Sequence, residues 1–211
     1  MKLKKQRQQQ RQQQQKPQNK LSVVNLDTLD KYIVVLKNQL TESLCDAILN
    51  EYSHTDEWTS TVIGADAKED KTVRNCDTIQ LSQPFTIQNN NIRLKLDKDI
   101  FSVVGKCIQE CSKLFKYLHV QEDTGYELLR YKQGGFYSQH SDTFLQAPRL
   151  MSASLVLNDN YEGGEFAFFD RQLKYKLNKG DVLMFPSTFM FPHEVMPVTK
   201  GTRYSIVTWF R

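Results

Sequence analysis

The stretch Tyr131 to Asp142, read Tyr-Lys-Gln-Gly-Gly-Phe-Tyr-Ser-Gln-His-Ser-Asp, decides how the rest of the chain is interpreted. Side chains alternate between two faces along a β-strand, so His140 and Asp142 point the same way and Ser141 points away. An imidazole beside a carboxylate supplies two of the three ligands of a common type of metal site. The third ligand is expected to be a histidine on a neighbouring strand, and His193 is the candidate.

Charge is distributed unevenly along the 211 residues. Residues 1–20 contain seven basic and no acidic residues, more than the net +4 of the whole chain, so residues 21–211 are mildly acidic. The first 20 residues are also rich in Gln and hold too few apolar groups to offset the entropy of ordering, which predicts a disordered tail. We favour a solvated extension without specific binding. The alternative is a nucleic-acid-binding or nuclear-targeting segment, although the tail lacks the interleaved aromatic residues on which bases stack.

The four cysteines are not expected to form disulfides, because no apolar run resembles a signal peptide. Cys107 and Cys111, four residues apart on a predicted helix, are interpreted as buried free thiols, and the absence of a CxxC pair argues against zinc. No stretch is long and apolar enough to span a membrane. A soluble intracellular protein is therefore expected, in the cytoplasm or alternatively in the nucleus.

The remaining pattern predicts helices first and strands afterwards. A strand is expected at 32–36, a helix at 42–52 capped by Thr41, a strand at 72–81 and a second helix at 99–117. Short β-rich runs separated by turn residues then follow, at roughly 126–132, 136–140, 150–157, 165–169, 173–177, 182–186, 193–198 and 203–210. Eight such strands predict a mainly β, α+β protein. Its core would be a jelly roll (double-stranded β-helix) over roughly 125–211 within one domain of 21–211, with the helices and strands of 21–124 supporting it from outside.

Two histidines and one carboxylate leave coordination positions open, which suits an Fe(II) ion that binds oxygen and a co-substrate together. A closed zinc site would need a fourth protein ligand, and none is evident. Arg203 begins an apolar strand ten residues after His193. A positive charge entering such a strand needs a partner, which a dicarboxylate co-substrate would supply through a bidentate pair. The alternative is that Arg203 pairs with a surface acid at the end of the strand.

Three segments, in this order, resemble the Fe(II)/2-oxoglutarate dioxygenases of the prolyl 4-hydroxylase type. They are Leu129–Asp142, Leu155–Phe166 and Gly180–Arg203, including Glu162-Gly163-Gly164-Glu165 in the second. The resemblance is close over residues 126–211 and loose over 32–125.

Carried over residue by residue, the resemblance implies a ligand set and a co-substrate site. His140, Asp142 and His193 would bind Fe(II), and Arg203 would bind the distal carboxylate of 2-oxoglutarate, where collagen-type enzymes use Lys. Tyr131 would hydrogen-bond the same carboxylate. Two further aromatic residues match family positions: Tyr137 matches one close to the iron, and Trp209 matches a tryptophan near the co-substrate or the substrate. The alternative for all three aromatic residues is packing within the core.

The resemblance also implies the reaction. Oxygen and 2-oxoglutarate would be consumed, succinate and carbon dioxide released, and a C–H bond of a peptidyl proline hydroxylated, with ascorbate keeping the iron reduced. Arg74 lies in a segment similar to an Arg-x-Ser motif near the peptide groove, with Cys76 in place of the Ser; the alternative is an ordinary surface charge. Other substrates considered are another amino acid, a small molecule or a nucleic acid, the last opposed by the acidic folded part. A noncatalytic jelly-roll binding module is the alternative from another class. A protein or peptide partner is expected, and the sequence does not indicate the oligomeric state.

Overall fold

Two antiparallel sheets enclose the inner face on which the predicted site residues lie. The computed structural model describes residues 29–63, 68–83 and 90–211, so the predicted tail at 1–20 lies outside the described residues. Residues 32–211 form one unit. Within the described residues the larger sheet has seven strands, the smaller sheet has five, and two further strands pair in a separate ladder.

The strands of both sheets are numbered in the order in which they occur along the chain. The larger sheet contains β1 (Val34–Leu36), β2 (Thr59–Ser60), β4 (Asp77–Gln80), β5 (Glu127–Tyr131), β7 (Met151–Val156), β11 (Val182–Pro186) and β14 (Arg203–Phe210). The smaller sheet contains β3 (Arg74–Asn75), β6 (Phe136–His140), β9 (Phe166–Phe168), β10 (Leu173–Tyr175) and β12 (His193–Val195), and the ladder consists of β8 (Glu162–Gly163) and β13 (Val198–Lys200). Hydrogen-bonded neighbours follow the order β1-β11-β7-β14-β5-β4-β2 in the larger sheet and β10-β9-β12-β6-β3 in the smaller sheet. A short 3-10 helix spans Asp30–Tyr32.

Two helices precede the β-rich part, as predicted. Helix α1 (Glu42–Tyr52) has the predicted bounds, and Thr41 caps it by accepting a hydrogen bond from the backbone N–H of Leu44. Helix α2 (Asn91–Leu114) begins eight residues before the predicted start. Its first turns bury only Leu96, so the apolar pattern that predicts a helix is weak there. The Asn90 side chain caps these turns by accepting hydrogen bonds from two backbone N–H groups.

The predicted strand at 72–81 is in fact two strands in different sheets. The chain leaves the smaller sheet after Asn75 and enters the larger sheet at Asp77, with Cys76 between them. A similar break divides the predicted strand at 193–198. Met196 and Pro197 separate β12 from β13, and Pro lacks the N–H that a continuous ladder needs.

Strand β7 shows how the larger sheet divides its two faces. Met151, Ala153 and Leu155 belong to the apolar core that the helices cover. Ser152 and Ser154 alternate with them and line the cavity on the opposite face. All four cysteines are buried free thiols, as expected. No helix within the described ranges is both long and apolar enough to cross a membrane.

Candidate metal centre

His140, Asp142 and His193 converge on the inner face between the sheets. Strands β6 and β12 are antiparallel neighbours, and their register places His193 opposite His140. Asp142 follows directly after β6. Its two carboxylate oxygens lie 3.3 Å from Nε2 of His140 and 3.5 Å from Nε2 of His193. One ligand atom from each residue lies within 4.8 Å of the others, close enough to share one metal ion.

Backbone carbonyls orient both imidazole rings. Nδ1 of His140 lies 2.8 Å from the carbonyl oxygen of Ser138, and Nδ1 of His193 lies 3.0 Å from that of Phe191. Each Nδ1–H therefore donates to a carbonyl and leaves the lone pair of Nε2 for a metal, a common arrangement around ligating histidines. Burial lowers the pKa of His193 to about 4, so its ring is neutral at physiological pH, as a metal ligand must be.

Asp142 is buried but remains ionised. Burial alone would raise its pKa, but the positive charge of protonated His193 and His140 and the hydrogen bond from the Ser152 hydroxyl favour the carboxylate, and the net effect lowers the pKa well below its usual range. The Ser152 hydroxyl donates to Oδ2 of Asp142 at 2.6 Å and lies 2.8 Å from the hydroxyl of Ser187. These hydroxyls fix the carboxylate in the direction of the two histidines.

Aromatic rings enclose the two imidazoles. The ring of Tyr137 stacks on that of His140 with 3.6 Å between centroids. Phe166 stacks on His193 at 5.4 Å, and Phe185 meets His193 edge-on at 4.6 Å. These rings restrict the access of water to His193, which is 2% exposed.

Arg203 lies at the other end of the same cavity. Only 2% of the residue is exposed, one guanidinium nitrogen donates to the Ser205 hydroxyl at 2.8 Å, and Nε is buried without a hydrogen-bond partner. In the part of the chain that the structure describes, no acidic side chain forms an ion pair with Arg203. Pairing with a surface acid, the alternative considered from the sequence, is therefore not what the structure contains.

A buried guanidinium without an anion is costly unless a ligand supplies one. The cavity thus offers an open set of two nitrogen ligands and one carboxylate at one end and an unsatisfied cation at the other. This donor set fits Fe(II) together with a dicarboxylate. The residues of the cavity therefore fit both groups that the sequence led us to expect.

The structure places the predicted aromatic residues around this cavity. Tyr131 stands opposite Arg203 in the register of β5 and β14, and its ring centre lies 5.3 Å from the guanidinium carbon. Burial raises the pKa of Tyr131, so its phenol stays protonated and can donate a hydrogen bond. Tyr137 and Trp209 also line the cavity, Tyr137 beside His140 and Trp209 on the last strand.

Arg74 lies beside the site and not on open surface. Its guanidinium covers the Tyr137 ring at 4.6 Å, and its Nε is buried without a partner. Together with Tyr137, Trp209 and Arg149 it lines an outer groove of about 500 Å³ that opens onto His140 and Asp142. The interpretation of Arg74 as an ordinary surface charge does not describe this position.

Sequence reasoning missed several polar residues of the site, among them Arg149, Ser152, Ser154 and Ser205. Arg149 covers the Trp209 ring at 3.7 Å and donates to the backbone carbonyl of Asp142 at 3.0 Å. The polar side of a buried strand was a usable signal for Ser152, because Ser152 and Ser154 alternate with apolar residues in β7. The sequence contained no comparable signal for Arg149.

Comparisons with known proteins agree with this geometry. Residues 126–211 match the model of the 2OG-Fe(II) oxygenase superfamily. A PKHD-type hydroxylase of Idiomarina loihiensis is 36% identical over 86 residues, which cover 38% of each chain. One from Crocosphaera subtropica is 34% identical over 122 residues, 53% of this chain and 54% of the relative. The chain thus spans about two fifths to one half of the length of these curated relatives.

Solved structures show the same fold. A prolyl hydroxylase from Trichoplax adhaerens, in complex with a peptide fragment of the hypoxia inducible factor oxygen degradation domain, has a TM-score of 0.71 at 21% identity, covering 88% of this chain and 84% of that one. A Pseudomonas putida prolyl-4-hydroxylase has a TM-score of 0.66 at 22% identity, covering 88% and 95%. The predicted jelly-roll fold class is therefore confirmed.

Proposed function

We propose, from the premise that residues 126–211 are a 2OG-Fe(II) oxygenase domain of the prolyl hydroxylase type, that this chain hydroxylates a peptidyl proline at the expense of 2-oxoglutarate and oxygen. Succinate and carbon dioxide are the co-products. The same proposal assigns His140, Asp142 and His193 to Fe(II). Arg203 and Tyr131 are assigned to the distal carboxylate of 2-oxoglutarate.

One observation carries the proposal above the others. The open ligand set and the unpaired Arg203 guanidinium face the same cavity from its two ends, and both line it. A metal site alone would suit many reactions, and a buried arginine alone would suit many anions. The combination selects a ligand that chelates a metal at one end and carries a carboxylate at the other.

The protein's own residues bind, orient and exclude water. Iron(II), when bound with 2-oxoglutarate and oxygen, would supply an oxidant able to break an unactivated C–H bond. Ser152 holds Asp142 toward the metal position, and the carbonyls of Ser138 and Phe191 hold the histidine rings. Phe166 and Phe185 keep water away from His193. Ascorbate dependence is part of the proposal, since an iron centre of this type is inactivated when it is oxidised without substrate.

The outer groove supports a polypeptide substrate. Arg74 and Arg149 stand on its walls with guanidinium donors suited to backbone carbonyls or carboxylates. Tyr137 and Trp209 provide aromatic faces near the metal position, against which a saturated proline ring can pack. Relatives and structural neighbours named as PKHD-type and prolyl hydroxylases support proline as the residue that is modified.

The experiment is the turnover of 2-oxoglutarate by the purified full chain with Fe(II) and ascorbate, measured as succinate release. A panel of proline-containing peptides is included, and products are examined by mass spectrometry for the mass of one added oxygen atom. We expect succinate release that a suitable peptide accelerates and that His140→Ala abolishes. If the unsubstituted chain releases no succinate and binds Fe(II) no better than His140→Ala, the proposal is wrong.

A further inference from the structure

Three serines line the inner face of the larger sheet, and one of them has no hydrogen-bond partner. Ser152 donates to Asp142, and Ser205 accepts from Arg203. Ser154 is 1% exposed, and its hydroxyl makes no hydrogen bond to any residue that the structure describes. A buried hydroxyl without a hydrogen-bond partner is unfavourable, because it has lost its bonds to water. Such groups in native proteins usually have a partner, which here must come from the contents of the cavity.

The strand register places Ser154 between the two ends of the cavity. On β7, Ser154 is two residues from Ser152, the residue that contacts Asp142. On the neighbouring strand β14, Ser154 is paired with Val207, two residues from Ser205, where the Arg203 guanidinium is bound. Same-face residues on a strand are roughly 7 Å apart, because each residue advances the chain by about 3.3 Å. Ser154 therefore lies alongside any ligand that extends from the metal position to Arg203.

We propose that the Ser154 hydroxyl donates a hydrogen bond to a carboxylate oxygen of 2-oxoglutarate. It would be a further contact of this chain with the co-substrate, beside Arg203 and Tyr131. The inference rests on the proposed function, because it concerns the same cavity. It also gives a reason for a polar residue on this buried strand, where a hydrophobic residue would otherwise pack at lower cost.

The test measures binding instead of turnover. The full chain is loaded with Mn(II), which takes the place of Fe(II) without reacting, and 2-oxoglutarate is titrated in by calorimetry. Ser154→Ala should bind 2-oxoglutarate about tenfold more weakly, the loss expected for a hydrogen bond to a charged group. Its affinity for Mn(II) alone should not change, since Ser154 contacts no metal ligand in the structure.

Thr208→Val is the matched control, because it removes the hydroxyl and keeps the shape of the side chain. Thr208 is also fully buried and its hydroxyl is also unpartnered, but it lies on β14 between Val207 and Trp209 and so faces away from the cavity that they line. This variant should bind 2-oxoglutarate as the unsubstituted chain does. Thermal unfolding of both variants without ligands should show no loss of stability, because each removes a buried hydroxyl that has no protein partner.

Two results overturn the inference. Equal 2-oxoglutarate affinity in Ser154→Ala and the unsubstituted chain means that only water meets the hydroxyl. A weaker affinity accompanied by a lower unfolding temperature of the ligand-free variant means that Ser154 acts through the fold and not through the ligand. If the unsubstituted chain binds no 2-oxoglutarate at all, the proposed function is wrong and this inference falls with it.

Discussion

Arg203 and Tyr131 stand opposite each other in the antiparallel pairing of β14 with β5, with the guanidinium carbon 5.3 Å from the centre of the phenol ring. Both residues are almost completely buried, and neither forms an ion pair with an acidic residue of the described chain. The pair therefore presents a positive charge and a protonated phenol to the same small volume.

Replacing Arg203 by Met should weaken 2-oxoglutarate binding by roughly 30-fold or more. The substitution removes the charge that would meet the distal carboxylate while keeping an unbranched side chain, and truncating one partner of a buried charge pair costs about 2–5 kcal/mol. Isothermal titration of the Mn(II)-loaded chain measures this change. Arg171→Met is the control, since Arg171 pairs with Glu194 away from the cavity. Comparable losses in both variants would contradict the assignment.

Ser152→Ala should lower the affinity for Fe(II) or Mn(II) by roughly 10- to 100-fold, the usual effect of removing a group that orients a metal ligand. The reason is that Ser152 donates to Asp142 at 2.6 Å and holds its carboxylate between the histidines. Metal titration followed by tryptophan fluorescence or calorimetry gives the affinity. An unchanged affinity in a folded Ser152→Ala protein would show that Asp142 needs no such support.

The metal-free chain should lose stability as the pH falls from about 6.5 to about 4. Burial holds the pKa of His193 at about 4 in the folded state, against about 6.5 when unfolded. Between these values the unfolded chain binds a proton that the folded chain does not, so the free energy of unfolding falls as the pH falls. The full contribution is present above pH 6.5 and is on the order of 3 kcal/mol.

Urea unfolding of the metal-free chain at pH 7.5 and at pH 4.5 measures this difference. His193→Gln is the comparison, because glutamine keeps a polar side chain of similar length that does not titrate. Its stability should depend less on pH over the same interval. Parallel curves for the two proteins would mean that His193 is not the group responsible.

Arg74→Met should raise the KM of a peptide substrate more than it lowers peptide-independent turnover of 2-oxoglutarate. The guanidinium lies over Tyr137 at the wall of the outer groove, and Arg74 also lines the inner cavity that contains Arg203. Steady-state kinetics with a responsive peptide, together with succinate release in its absence, separate the two effects. An equal loss in both assays would place Arg74 in the support of the metal centre instead.

Two glycine substitutions should change stability in opposite directions. Gly163 has φ +74°, and a Cβ there would lie 2.4 Å from the carbonyl oxygen of Pro197, so Gly163→Ala should destabilise the chain by well over 1 kcal/mol. Gly105 lies within α2 with no atom within 4 Å of a Cβ, so Gly105→Ala should stabilise it by about 0.5–1 kcal/mol. Denaturant unfolding of both variants checks the contrast.

The sequence predicted strands best where alternation and turn residues coincide. Strands β6, β11 and β14 have the predicted bounds residue for residue. The predicted start of α2 was wrong because the first turns of this helix have little apolar periodicity. They are stabilised by the Asn90 cap and by an ion pair between Arg93 and Glu51. Cys76 could not be recognised as the point where the chain changes sheets, because the partners of both strands lie far along the sequence.

The residues of the site could be predicted where chemically related side chains lie close together in the sequence. His140 and Asp142 are two residues apart, His193 and Arg203 were candidates from their own sequence contexts, and the resemblance assigned the roles of all four residues. Arg149 and Ser154 were not predicted, since their importance depends on contacts across strands. An arginine and a serine are ordinary residues until the structure shows that each has a buried polar atom without a partner.

The way the early strands join both sheets determines how the chain can be divided. Strand β1 covers the edge of β11, β4 covers that of β5, and β3 covers that of β6. A fragment limited to residues 126–211 would expose the hydrogen-bonding groups of all three strands, and open edges of this kind promote intermolecular association. Any attempt to transplant or truncate this protein must therefore carry the amino-terminal strands with it.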